Sequence, residues 1–182
     1  SVFGDHNRLN AVASYIVGLE LGLKKEKIIR SLIQFKGSKR RSEFVGKLES
    51  GALVFDDYAH HPTEIQKTLK AFREKFPDSK IVCIFQPHTY SRTKSLFEQF
   101  SSSFIDVDIV ILTNIYSSLR EKNDPTVSMS DLAKKIESKG TTALFLPQLS
   151  NVVEYVNNQN FGEGIILITM GAGDVYKISE KL

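Results

Sequence analysis

Between residues 7 and 21 apolar side chains recur every three or four positions, at Leu9, Val12, Ala13, Ile16, Val17, Leu19 and Leu21. That is the period of one helical face, and Gly22 is placed to stop it. A second stripe of Ile28, Ile29, Leu32, Ile33 and Phe35 predicts a second helix, which Gly37 ends. After a basic stretch the period shortens. Residues 44–48 and 52–58 read as strands, joined through Glu49, Ser50 and Gly51, a polar turn suited to a hairpin.

Strand and helix then alternate. Helices are predicted at Pro62–Lys75, 91–104, 130–138 and 150–157, and strands at 80–86, 108–116, 143–146 and 164–170, with a polar loop after 116 and a short helix at the end. Runs such as Ile81, Val82, Ile84 and Phe85, or Ile165 through Ile168, are the continuous apolar stretches of strands buried on both faces. Short connections imply right-handed crossovers, so the predicted fold class is α/β, in three layers. Its mostly parallel sheet of about six strands is preceded by a helical pair.

Composition narrows the class further. The chain has 182 residues, 41% of them apolar and 25% charged, too apolar and too nearly neutral for a disordered tail. The sixteen Gly and Pro residues exclude a fibrous repeat. No apolar run approaches the roughly 20 residues of a membrane helix, and no charged-then-apolar leader opens the chain. A single cysteine, Cys83, sits in an apolar run and cannot form an internal disulfide, which favours a reducing, cytoplasmic setting. Because the chain starts on Ser1 and enters a helical pattern at once, it is expected to be part of a longer protein.

Charge is uneven. Residues 1–50 hold ten Lys or Arg against five Asp or Glu, and the remainder holds fourteen against sixteen, which makes up the net +3. Lys36, Lys39, Arg40 and Arg41 surround Gly37 in a loop that either meets phosphate or carboxylate groups or is a solvated turn. A nucleic-acid face is disfavoured, because the chain has no wider basic surface interleaved with aromatics.

In a parallel sheet, ligands bind beyond the carboxyl ends of the strands. The loops expected there read DDYAHHPTE (56–64), QPHTYSRT (86–93) and MGAGD (170–174). They hold His60, His61 and His88, three of the four histidines, together with Asp56, Asp57, Tyr58 and Arg92. His61 before Pro62 reads as a helix start. His60 and His88 with a nearby carboxylate form a polar constellation able to titrate near neutral pH. Arg92 opens a helix, where the dipole disfavours a cation, so an anionic ligand would compensate it. Ser91 and Thr93 read as caps, and GAGD as either a phosphate turn or a tight close-approach turn. The histidine spacing matches no metal motif, so no metal ligands are assigned. No Gly-x-Ser-x-Gly elbow is present.

Five segments in this order, GDHNRLNA (4–11), KGSKRR (36–41), DDYAHHPTE, FQPHTYSRT and MGAGD, resemble the Mur ligases of peptidoglycan precursor synthesis across almost the whole chain. The resemblance implies an ATP- and Mg2+-dependent ligase that joins L-alanine to UDP-N-acetylmuramate through an acyl phosphate. A ligase attaching a tripeptide to the same sugar nucleotide and a non-catalytic Rossmann-like binding module are the alternatives. It also implies a division into residues 1–36, the last helices of a central ATPase domain, and residues 37–182, a Rossmann-like amino-acid-binding domain. The Gly-Lys-Thr phosphate loop, and with it most of the magnesium site, would belong to a segment this sequence does not contain, so the chain alone is expected to be inactive.

Residue by residue, Asn7 and Asn10 match the family's HNxxN segment beside the nucleotide, and Arg41 and Asp57 match positions near ATP. Tyr58, His60, His88 and Arg92 match the amino-acid and acyl-phosphate side, with Arg92 and His88 assigned to the alanine carboxylate. His60, Arg41 and Asp57 are the expected positioning and charge-stabilising residues. Many members carry Arg after the Pro-His pair, where this chain has Thr89.

Overall fold

In the computed structural model, residues 2–117, 121–159 and 161–182 are described. Ser1, from which the reading of the chain start was taken, and residues 118–120 of the polar loop lie outside the described residues. Helices α1 (Asp5–Glu20) and α2 (Lys25–Gln34) form the opening pair. Gly22 follows α1 in the left-handed region with φ +74°, a conformation glycine adopts without steric cost. The second helix stops at Gln34, short of Gly37, because Phe35 turns to extended backbone.

Strands β1 (Glu43–Lys47) and β2 (Leu53–Asp57) make the predicted antiparallel hairpin. Helix α3 (Pro62–Lys75), β3 (Lys80–Phe85), α4 (Tyr90–Ser95), α5 (Phe97–Ser101) and β4 (Ile109–Leu112) follow, then α6 (Met129–Glu137), β5 (Thr142–Phe145), α7 (Leu149–Gln159), β6 (Ile165–Met170) and α8 (Tyr176–Ser179). The six strands lie in the order β1-β2-β6-β3-β4-β5, parallel except for β1.

Period-two alternation along each buried strand feeds two cores. Ile81, Cys83 and Phe85 face α3, α5 and α6, where they meet Leu69, Phe72, Phe100 and Leu132. Val82 and Ile84 face the opposite layer with Val152, Val156, Val175 and Ile178. Each such side chain contributes about 1.5–3 kcal/mol by leaving water. Burial pushes the Cys83 thiol well above its ordinary pKa, so it packs as a small hydrophobe.

Two predicted elements are corrected. The single helix expected over 91–104 is broken at Leu96, whose φ and ψ of −112° and 18° leave the helical region. It then ends at Ser101, because the hydroxyls of Ser101, Ser102 and Ser103 donate to the carbonyls of Glu98, Glu98 and Gln99 and favour turns. The strand expected over 108–116 stops at Leu112. Beyond it the chain swings toward the loop after β3, where Tyr116 N–H donates to the Pro87 carbonyl and Thr89 N–H donates to the Tyr116 carbonyl.

Candidate functional site

Sheet topology brings the loops after β2, β3 and β6 to one edge. The site begins with the loop between α2 and β1. Glu43 accepts a hydrogen bond from Arg40 N–H at 2.7 Å, and Asp57 accepts from Ser42 N–H at 2.6 Å and from the Ser42 hydroxyl at 3.2 Å. These carboxylates hold Arg40 and Ser42 at φ +57° and +46°, left-handed conformations that cost non-glycine residues energy. The kink gives two adjacent arginines different surroundings, although both guanidiniums lie near the Tyr58 ring, Arg40 at 5.0 Å and Arg41 at 5.9 Å. Arg40 turns into the fold, and Arg41 remains exposed and lines a cleft.

That cleft encloses about 490 Å³, within the roughly 300–1,000 Å³ of small-molecule sites. Its walls come from α1, α2, the 37–42 loop, the end of β2 and α3, and include Asn7, Asn10, Leu32, Arg41, Asp57, Glu64 and Lys67. Asn7 spends one amide N–H on the Phe3 carbonyl at 2.8 Å, leaving its oxygen as an acceptor, and Asn10 is exposed. The donor set suits a nucleotide, with apolar surface for a base, amides for its edge and cations for phosphate. For Mg2+ the described residues make no complete site: Asp57 and Glu64 carry backbone hydrogen bonds, and no cluster of three or more potential metal ligands occurs among the described residues.

Burial pushes the Asp57 carboxyl above its ordinary pKa, against the pull of the Ala59 and Ser42 hydrogen bonds and the Arg41 charge. Burial also opposes ionisation of Glu64. There the His60 and His61 N–H groups and the charges of His60 and Arg41 outweigh it and hold the group below its usual value. His61 starts α3, as predicted. Its Nδ1 accepts from Thr63 N–H at 3.3 Å, and Glu64 reaches back to close a capping box.

Beside the cleft lies a row of rings. Tyr58 and His60 are 5.3 Å apart between centroids, His60 and His88 are 6.2 Å apart, and His88 stacks on Tyr116 at 5.7 Å. His60 Nδ1 lies 3.0 Å from the Tyr58 carbonyl, which can only accept, so Nδ1 is the donor in that contact. Burial lowers the His88 pKa, and the nearby charges of Arg92 and His60 lower it further against a weaker pull from Glu121, so its imidazole is neutral at pH 7. His88 Nδ1 and Arg92 Nη1 are both buried and have no hydrogen-bond partner among the described residues. The structure therefore gathers Asn7, Asn10, Arg41 and Asp57 at the cleft and Tyr58, His60, His88 and Arg92 along its neighbouring edge.

The sequence reading missed Glu121. Its two oxygens accept from Tyr90 N–H at 2.6 Å and Ser91 N–H at 2.8 Å, so this distant carboxylate caps α4. Ser91 and Thr93 do not cap it as expected, and the Thr93 hydroxyl donates to the Thr89 carbonyl. Thr89 itself adopts φ +69° and is held by its backbone. A pair of acidic residues near a loop carries no local signal for a contact 30 residues away. The MGAGD loop is a close-approach turn. A Cβ on Gly171 would stand 2.5 Å from the Gln86 carbonyl, and one on Gly173 would strike the Gln86 side chain and Tyr116. Gln86 clamps this turn by donating to Asp174 and accepting from Val175 N–H.

Comparison with known proteins agrees with this fold. A family model described as the glutamate ligase domain of Mur ligases matches residues 40–173. The UDP-N-acetylmuramate–L-alanine ligase of Desulfitobacterium hafniense is 46% identical over 181 residues, covering 100% of this chain and 40% of that protein. The crystal structure of a UDP-N-acetylmuramate-alanine ligase from Thermotoga maritima has a TM-score of 0.81 at 29% identity, covering 99% of this chain and 37% of the other. A murein peptide ligase from Psychrobacter arcticus shares the fold, with a TM-score of 0.70 at 23% identity over 100% of this chain and 37% of its own. The chain thus spans about 40% of the length of the curated relatives it matches.

Proposed function

The chain belongs to the Mur ligase family, and from that premise we propose that it is the amino-acid-binding portion of an ATP-dependent ligase that joins L-alanine to UDP-N-acetylmuramate. In that reaction ATP supplies the phosphoryl group that activates the lactyl carboxylate as an acyl phosphate, and the amine of L-alanine displaces phosphate to form the amide. The whole enzyme works in the cytoplasm, and residues 1–36 are the end of its central domain. Exposed Leu9, Val12, Ile16 and Val17 on α1 support that division, because an apolar face of this kind is ordinarily covered.

The observation that carries the proposal is the pair of buried, unpartnered nitrogens on His88 and Arg92. A buried polar nitrogen without a partner costs about 1–3 kcal/mol, and a native site that leaves two of them suits a ligand. The guanidinium of Arg92 receives the alanine carboxylate in charge-assisted hydrogen bonds, and neutral His88 adds a hydrogen bond without a second charge. His60, whose ring is held by the bond from Nδ1 to the Tyr58 carbonyl, turns its Nε2 edge to the alanine amine and orients it. Asn7, Asn10, Arg41 and Lys67 hold the nucleotide in the adjoining cleft.

The contribution of this portion is position and charge. Fixing amine and acyl phosphate in reach of each other accounts for as much as about 7–11 kcal/mol of barrier lowering. Because the nucleotide cleft lies between the helical pair and the sheet, a hinge at Gly37, where φ is +105°, opens and closes it. The described residues make no complete Mg2+ site of their own, and no step is assigned to the ion.

The test is ADP release by the full-length ligase with UDP-N-acetylmuramate and, in turn, L-alanine, glycine, L-serine and a tripeptide. Turnover with L-alanine supports the proposal. Turnover with the tripeptide alone assigns the chain to the other ligase.

A further inference from the structure

The basic loop contains two adjacent arginines, and the proposed function uses only the second. Arg40 is the more constrained. Its side chain is 22% exposed, and Nε donates to Asp56 Oδ2 at 2.8 Å. Nη2 donates to the Gly171 carbonyl at 2.6 Å and Nη1 to that of Gly173 at 3.3 Å. The guanidinium thus joins the end of β2 to the turn after β6. Its Cζ also lies over two rings, 5.0 Å from the Tyr58 centroid and 4.7 Å from the Tyr176 centroid. Its carbonyl accepts from Tyr58 N–H at 2.8 Å.

These contacts make Arg40 the first cation in a continuous row: Tyr176, Arg40, Tyr58, His60, His88, Tyr116. The same residue forms the kink that aims Arg41 into the nucleotide cleft. We propose that Arg40 is a positioning residue that sets both halves of the site, fixing Tyr58 and His60 by stacking on the amino-acid side and Arg41 through its left-handed backbone on the nucleotide side. A planar fork reaches Asp56 and both carbonyls at once, whereas a lysine ammonium is a single point charge, so lysine is not an equivalent. The inference rests on the ligase reading above, but only for the identity of the two ligands.

The test is steady-state kinetics of the full-length ligase carrying Arg40→Lys, Tyr176→Leu and, as a stability control, Ile136→Val in the distant α6 core. Arg40→Lys is expected to raise KM for the amino acid by about tenfold, with a smaller rise in KM for ATP because lysine keeps the backbone N–H bond to Glu43, and a smaller change in kcat. Tyr176→Leu removes one ring face and leaves the fork intact. It is expected to raise the amino-acid KM by about threefold with little effect on ATP. The control lowers Tm and leaves both KM values at the parent level.

The proposal is overturned if Arg40→Lys and Tyr176→Leu both keep parent KM values. It is also overturned if the lysine variant loses activity only in proportion to its unfolded fraction. Should Arg40→Lys not fold, an unchanged amino-acid KM in Tyr176→Leu overturns it and a raised one supports it. If the parent enzyme uses another amine, the functional reading fails while these comparisons are made with that amine.

Discussion

The imidazoles of His60 and His88 meet at 6.2 Å, edge to face, although their loops follow strands that β6 separates in the sheet. Parallel topology makes this possible, because every loop after a strand leaves at the same edge. Next to the pair, Arg92 Nη1 has no partner among the described residues.

The first prediction concerns that nitrogen. Removing one partner of a buried charge pair costs about 2–5 kcal/mol. Arg92→Ala in the full-length ligase is therefore expected to raise KM for L-alanine at least about 30-fold, since each 1.4 kcal/mol is about tenfold. KM for ATP should change little. An unchanged alanine dependence refutes the assignment.

Glu121 makes a second case. Its carboxylate caps α4 and so holds the backbone that carries Arg92. Losing that cap loosens the backbone at Tyr90 and Ser91, so Glu121→Ala should weaken L-alanine by several-fold without affecting ATP. Equal weakening of both ligands would place its effect elsewhere.

The pH dependence of stability follows from His88. Burial and the Arg92 charge lower its folded pKa beneath the ordinary 6.5, so between those values the unfolded chain binds more proton. The neutral ring contributes stability that is fully present above pH 6.5 and is lost as the pH falls through the folded value. Thermal unfolding of the parent should therefore lose more Tm between about pH 6.5 and 5 than that of His88→Gln. Parallel curves would contradict the stated environment.

Gly171 supplies a prediction about folding. Its φ is +144°, and a methyl group there would stand 2.5 Å from the Gln86 carbonyl, so the turn has no room for a side chain. Gly171→Ala should cost about 1–3 kcal/mol, with roughly 2–4 °C of Tm lost per kcal/mol in a chain of this size. Calorimetry showing an unchanged Tm would mean that the turn relaxes freely.

Much of this fold could be read from the chain, because buried strands such as β3 and β6 are continuous apolar runs and α3 carries its own cap and proline. The breaks could not. Leu96 interrupts a good helical stripe so that Phe100 and Phe104 can pack on Phe85 at 5.7 and 5.4 Å, a demand visible only in three dimensions. The site follows the same division. His60, His88 and Arg92 lie where the strand ends foretold, whereas Glu121 reaches α4 from a remote loop. The different surroundings of Arg40 and Arg41 depend on a backbone kink that two identical neighbours cannot announce.

The central claim is that one edge of the sheet holds two separable halves, Arg41 for the nucleotide and Arg92 for the amino acid. Its most direct measurement is the pair of KM values, for ATP and for L-alanine, in the full-length ligase with Arg41→Ala and with Arg92→Ala. The account predicts that each substitution raises one constant and spares the other, with opposite assignment. If both variants raise both constants by the same factor, the two halves are not separate and the account is wrong.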